Sequence, residues 1–219
     1  MEIADNIITS KLKNVYFIWG RGKTTVADIL RKKYGCFVFS TDEARDRNMA
    51  YACPEDQPCM CRDYVREYGV NSFWELPEEV INDREEHFLR EVTPMIVADL
   101  MALSSQYEAV ICEGDIDYEA IIPVAAHFVY LNNRGTKFDW FDRPDHENIV
   151  ENINGRTDLT DEEKAEVIRK AYDAVSGEEG LVPRWVSEKG VKVMPWDDNV
   201  SPEKTAAETA EYFGLKINT

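Results

Sequence analysis

Lys23, Thr24 and Thr25 follow two glycines, Gly20 and Gly22, in the stretch NVYFIWGRGKTTVADIL, residues 14–30. A lysine and a hydroxyl opening a helix behind a glycine turn form a set suited to phosphate. Backbone N–H groups wrap the anion, the ammonium reaches its outer oxygens, and the next hydroxyl ligates Mg2+. The helix N-terminus adds partial positive charge. The full pattern, GxxxxGK[ST], puts its first glycine six residues before the lysine. Here that place is Phe17, inside an apolar run. The loop is therefore short by about three residues, roughly 10 Å of extended chain. Gly20, Arg21 and Gly22 can still meet an anion at the helix end, more weakly than a full loop would. Three readings fit these residues: an incidental strand–turn–helix, a genuine but shortened site, and a full loop lacking part of its tip.

Acidic residues come next. Asp42 follows the apolar run CFVFS, and Glu113 and Asp115 follow EAVIC, within EGDID. Ionised carboxylates are too expensive for an apolar core, so an exposed or functional position is expected for this group. Asp42 also suits a helix cap, because STDEA is a cap signal. Arg45, one helical step beyond, can grip an anion or lie on a solvated face. Cys53, Cys59 and Cys61 share the stretch CPEDQPCMC. Their C-x5-C-x-C spacing is not a common structural-zinc pattern, and His87 and His146 are distant in sequence, which favours free thiols over a zinc module. Cys36, Cys112 and His127 fall in strand-like runs and read as core residues.

The elements that must position these groups are strands at 14–19, 36–40, 108–113, 126–131 and 191–195, alternating with helical patterns. The first four are almost continuously apolar, as strands covered on both faces of a parallel sheet should be. The class is α/β. A helix over 23–34 ends at Gly35. A long one runs from about Asp83 to Ser104, with Pro94 expected to kink it. The last helix opens with Ser201 and Pro202, and Thr160 caps another. Two polar segments, about 53–82 and 133–180, read as covers over a site within a single domain spanning 1–219.

The net charge is −17, and the five cysteines are irregularly spaced. An acidic chain lacks the positive face that broad nucleic-acid binding needs. No apolar run approaches the roughly 20 residues of a membrane span, and no signal-peptide pattern opens the chain, so a cytoplasmic setting is expected. Lys11, Lys13, Arg21, Lys23, Arg31, Lys32 and Lys33 make residues 1–33 the basic end of the chain.

The GKTT helix, the second strand with FVFSTDEARDR, the third with VICEGDIDYEAII, and the tail PRWVSEKGVKVMPWDDNVSPEKTAAETAEYFGL together resemble a known group, over nearly the whole chain. It comprises the P-loop small-molecule kinases: shikimate, gluconate and nucleoside monophosphate kinases, chloramphenicol phosphotransferase, and kinase-like bacterial proteins of the AAA-type ATPase class. The resemblance implies a P-loop NTPase fold. Its five-stranded parallel sheet, in the order 2-3-1-4-5, would be sandwiched by helices and carry a helical lid insertion. It implies a phosphotransferase that uses ATP and Mg2+ on a small hydroxyl-bearing acceptor. Gly20, Arg21, Gly22, Lys23, Thr24, Thr25 and Arg169 would then bind nucleotide, with Lys23, Asp42 and Arg143 catalytic. Arg45, Glu113 and Asp115 would bind substrate, and Thr24 and Asp42 the metal. The short loop keeps a second expectation open, a nucleotide-binding or regulatory protein that has lost turnover.

Overall fold

The computed structural model describes residues 2–133, 147–176, 184–196 and 199–217. The chain divides into two units, one of Met1–Cys61, Glu86–Gly135 and Gly180–Thr219, the other of Arg62–Glu85 and Thr136–Glu179.

The first unit carries a five-stranded parallel sheet: β1 Val15–Gly20, β2 Phe37–Ser40, β3 Val110–Glu113, β4 His127–Asn133 and β5 Lys192–Trp196. The order is β2-β3-β1-β4-β5, as expected, and β5 sits one residue later than its sequence pattern suggests. The register sets Ile18 and Ser40 opposite Glu113 from either side. Three strands therefore end along one edge at the residues that could do chemistry. Chain connections leave β1 toward β2 on one side, and β4 lies on the other. Such a switch in strand order opens a crevice at the carboxyl ends, where ligands of open α/β sheets gather.

Helices complete the unit. An N-terminal helix, α1 (Glu2–Lys11), was not foreseen from the sequence. α2 (Lys23–Tyr34) stops where Gly35 turns left-handed at φ +70° and donates its N–H to the Arg31 carbonyl. α3 spans Thr41–Met49, α6 Tyr118–Ile121, α9 Arg184–Glu188 and α10 Pro202–Phe213. Ser201 caps α10 by accepting from the Lys204 N–H at 3.3 Å. On one side Ile18, Ile111, Val129, Leu131 and Met194 of the sheet pack with Val26, Ala27 and Leu30 of α2 and Ala206, Ala210 and Phe213 of α10. The other side has Phe17 stacked on Phe128, with ring centroids 6.0 Å apart.

The long helix α5 is Glu78–Leu103, which begins earlier than Asp83 and continues through Pro94. The Pro77 carbonyl accepts from the N–H groups of Val80 and Ile81, and Glu78 and Glu79 suit the positive helix start. Phe88, Val92, Ile96 and Leu100 form its buried stripe.

The second unit contains α4 (Tyr64–Tyr68), a short 3-10 turn at Phe73–Glu75, α7 (Glu147–Asn154) and α8 (Asp161–Ser176). Thr160 and Glu163 cap α8 reciprocally: the Glu163 N–H donates to Thr160 Oγ1 at 3.2 Å, and the Thr160 N–H to Glu163 Oε2 at 2.7 Å. Arg156 pairs with Glu75 across 81 residues of sequence, and with Asp158 at 2.9 Å and 2.5 Å. Among the described residues, no helix is long and apolar enough to cross a membrane.

Candidate functional site

Only Arg21 and Gly22 separate the end of β1 from the start of α2. Gly20 has φ +97°, and a Cβ there would lie 2.2 Å from the Leu131 carbonyl oxygen. Gly22 has φ +81°, and its Cβ would fall 2.4 Å from the Trp196 ring. Both positions therefore require glycine, by conformation and by space. The turn is tight, with the indole at the end of β5 lying against it.

Lys23 is the first residue of α2 and half-buried, whereas Thr24 and Thr25 are exposed. No side chain caps this helix, and no acid stands in its first turn. The opening amides of a helix have no partner within it. Here they stand beside the ammonium of Lys23, with Arg21 in the turn just before them.

Thr24 Oγ1 donates to Glu113 Oε2 at 2.9 Å, joining the helix start to the end of β3. Glu113 is only 3 % exposed. Burial pushes its carboxyl above the ordinary range, and repulsion from Asp42 adds to this. Hydrogen bonds from Thr24 and Ser40 and the charge of Lys23 pull the other way without prevailing. Asp42 lies in the first turn of α3, where Ser40 occupies the cap position, so it is not the cap that STDEA suggested. Its side chain reaches solvent, yet removal of water and the nearby charge of Asp115 raise its proton affinity. Lys23 and Arg45 oppose that shift, and Asp46 adds to it. Asp115 Oδ1 accepts from the Trp19 indole N–H at 3.0 Å. Gly114, at φ +120°, lets the chain pass tightly under Thr41, whose Oγ1 would lie 2.0 Å from a Cβ.

Lys23, Thr24, Asp42, Glu113 and Asp115 are thus brought together. Arg45 is tied to them by its charge on Asp42, and its guanidinium lies 4.7 Å from the Phe88 ring centroid. Arg169 belongs to the second unit, where its guanidinium bonds Glu166 at 2.7 Å and 3.0 Å. Arg143 lies outside the described residues. Sequence reasoning missed Trp196, whose ring lies against Gly22, and Trp19, which bonds Asp115. The one usable signal was their placement at strand ends, beside Gly20 and at the start of WDDN.

The donor set suits Mg2+ in one respect. A hydroxyl and carboxylates at one edge leave most of the coordination to water and phosphate oxygens, as this ion prefers. Among the described residues, no three His, Cys, Asp or Glu side chains are arranged to hold a metal ion by themselves. At the cysteines, Glu91 accepts from the Cys59 and Met60 amides at 3.0 Å and 2.9 Å. Cys36, Cys53, Cys59, Cys61 and Cys112 are not in disulfide bonds.

No family model matches the chain, and no curated protein matches it. An unliganded sugar kinase structure from a Janibacter species is similar over 92 % of this chain and 95 % of that one, at 14 % identity and a TM-score of 0.39. A likeness this loose carries no argument about activity.

Proposed function

We propose that the first unit is a P-loop NTPase-type fold that binds ATP with Mg2+ and transfers the γ-phosphate to a small hydroxyl-bearing acceptor in the cytoplasm. One observation carries the reading: Thr24 at the start of α2 is hydrogen-bonded to Glu113 at the end of β3, beside Lys23. A lysine, a hydroxyl and a carboxylate joined in this way form a site for a triphosphate and its cation.

Bound Mg2+ would supply positive charge to the phosphate oxygens. Lys23 would hold the outer phosphate, with Gly22, Thr24 and Thr25 offering backbone amides. Thr24 would turn its hydroxyl oxygen to the metal while Glu113 keeps that side chain aimed. Asp42, whose raised proton affinity suits a base, would take the acceptor's hydroxyl proton. The freed oxygen would bond to the γ-phosphorus as the bond to the β,γ-bridging oxygen breaks, releasing ADP. Arg45 and Asp115 would orient the acceptor. Arg143 and Arg169 keep the phosphate-contacting role the resemblance gives them, and the segments 53–82 and 133–180 that of covers.

Calorimetry with ATP and Mg2+ on the parent and on Lys23→Ala tests the binding step. Phosphate transfer to a panel of sugars, nucleosides and antibiotics tests the chemistry. A parent that binds without transferring to any of them supports the second reading, a regulatory nucleotide-binding protein. The two-residue turn closed by Trp196 is the observation that favours it.

A further inference from the structure

The Trp19 side chain is tied to the acidic edge. It stands opposite Tyr130 in the β1–β4 register. Its ring lies 5.0 Å from the Tyr130 ring and 4.2 Å from that of Tyr118, tilted to both. The Tyr118 hydroxyl donates to the Gly114 carbonyl at 3.3 Å, so the chain turn carrying Asp115 is gripped from the same aromatic group. Within this frame the indole N–H points at Asp115 Oδ1. An indole N–H only donates and carries no net charge. It can fix the orientation of a carboxylate without neutralising it, and so differs from a lysine or arginine at the same place. Held in this way, Asp115 lies close enough to Asp42 to raise the proton affinity of Asp42.

We propose that Trp19 is a positioning residue: by holding Asp115 Oδ1 it aims Oδ2 at the water shell of the Mg2+ that a bound triphosphate brings. This rests on the reading above and adds to it. Glu113 acts on the metal site through Thr24, while Asp115 acts as a second anchor, set by an aromatic residue from the central strand. Partners that orient a metal-site carboxylate change metal affinity by about 10- to 100-fold when removed. A neutral indole acting on a solvent-bridged group belongs at the low end.

The test is a double-mutant cycle of Trp19→Phe and Asp115→Asn, read as the Mg2+ concentration that half-saturates ATP binding in calorimetry, with ATP affinity in EDTA measured alongside. Each single variant is expected to need about 10-fold more Mg2+, with ATP affinity in EDTA unchanged. The double variant is expected to be no worse than Asp115→Asn, because Trp19 acts through Asp115. Losses that add, or an EDTA affinity that falls in parallel, would show Trp19 to be structural only and overturn the proposal. Should Phe at position 19 unfold the chain, Asp115→Asn alone decides, since an unchanged Mg2+ requirement removes the anchor. A parent that binds no ATP with Mg2+ overturns the functional reading itself. A parent that binds while the cycle fails leaves that reading standing.

Discussion

Glu113 and Glu75 are two poorly exposed carboxylates held in opposite ways. Around Glu75, burial works against the charge, but partners led by the guanidinium of Arg156 outweigh it, and the carboxyl stays below its ordinary range. Asp158, bonded by the same arginine, is held down to about 2. Around Glu113 the favourable partners are weaker and a second carboxylate is close, so burial wins and the carboxyl is pushed up. One region is electrostatically complete within the protein. The other is short of positive charge, an arrangement that persists at ligand sites because the missing charge arrives with the ligand. Under the proposed function the end of β3 would be the working region, and the Arg156 network a brace.

Four measurements can break this contrast or sharpen it. Lys23→Ala should have the largest effect, weakening ATP binding about 100-fold, or roughly 2.7 kcal/mol. An unchanged affinity in calorimetry would mean that the α2 start is not the site.

Next is Gly22→Ala, which forces a left-handed backbone and meets Trp196. A loss of about 1–3 kcal/mol in denaturant unfolding is expected. Trp196→Ala in the same background should recover the steric part of that loss and none of the backbone part.

The two glutamates should then show opposite pH slopes. A carboxyl raised in the fold binds more protons there than in the unfolded chain, so it costs stability above the ordinary carboxylate value near 4.3. Glu113→Gln should therefore raise the metal-free midpoint at pH 7 and change little at pH 3, while increasing the Mg2+ requirement about tenfold. Glu75 is lowered, so its contribution is present above the ordinary value and lost as pH falls through its folded value. Glu75→Gln should lower the midpoint at pH 7, and the difference should shrink in acid. Melting curves across pH 3–8 that show the same slope for both variants would remove the distinction.

The smallest effect is expected from Arg169→Ala. Its pairing with Glu166 is exposed on both sides, and such pairs contribute little. Melting temperature should barely move. A fall in ATP affinity with that variant would instead establish the phosphate role implied by the resemblance.

Elements fixed by local chemistry were legible in the chain. Apolar runs gave the five strands, Gly35 and Ser201 gave helix ends, and Thr160 gave a cap, because each signal acts within a few residues. The meeting of Thr24 with Glu113 was foreshadowed only by both lying at strand-adjacent ends. Trp19 and Asp115, 96 residues apart, could not be paired in advance, nor could Arg156 and Glu75. Such pairs depend on the register of strands and on which face of a helix is turned inward. Helix α1 was hidden because EIADNIITSK mixes β-branched residues into a helical period. The early start of α5 was hidden because Pro77 reads as a breaker when it is the residue whose carbonyl opens the helix.

The most direct test of the central claim is the heat of ATP binding to the parent chain, with and without Mg2+. The account predicts one saturable site whose affinity rises at least about tenfold when Mg2+ is added, as the cation satisfies Glu113, Asp42 and Asp115. An absence of saturable heat up to about millimolar ATP, the weak end of specific binding, or an affinity indifferent to Mg2+, would contradict it.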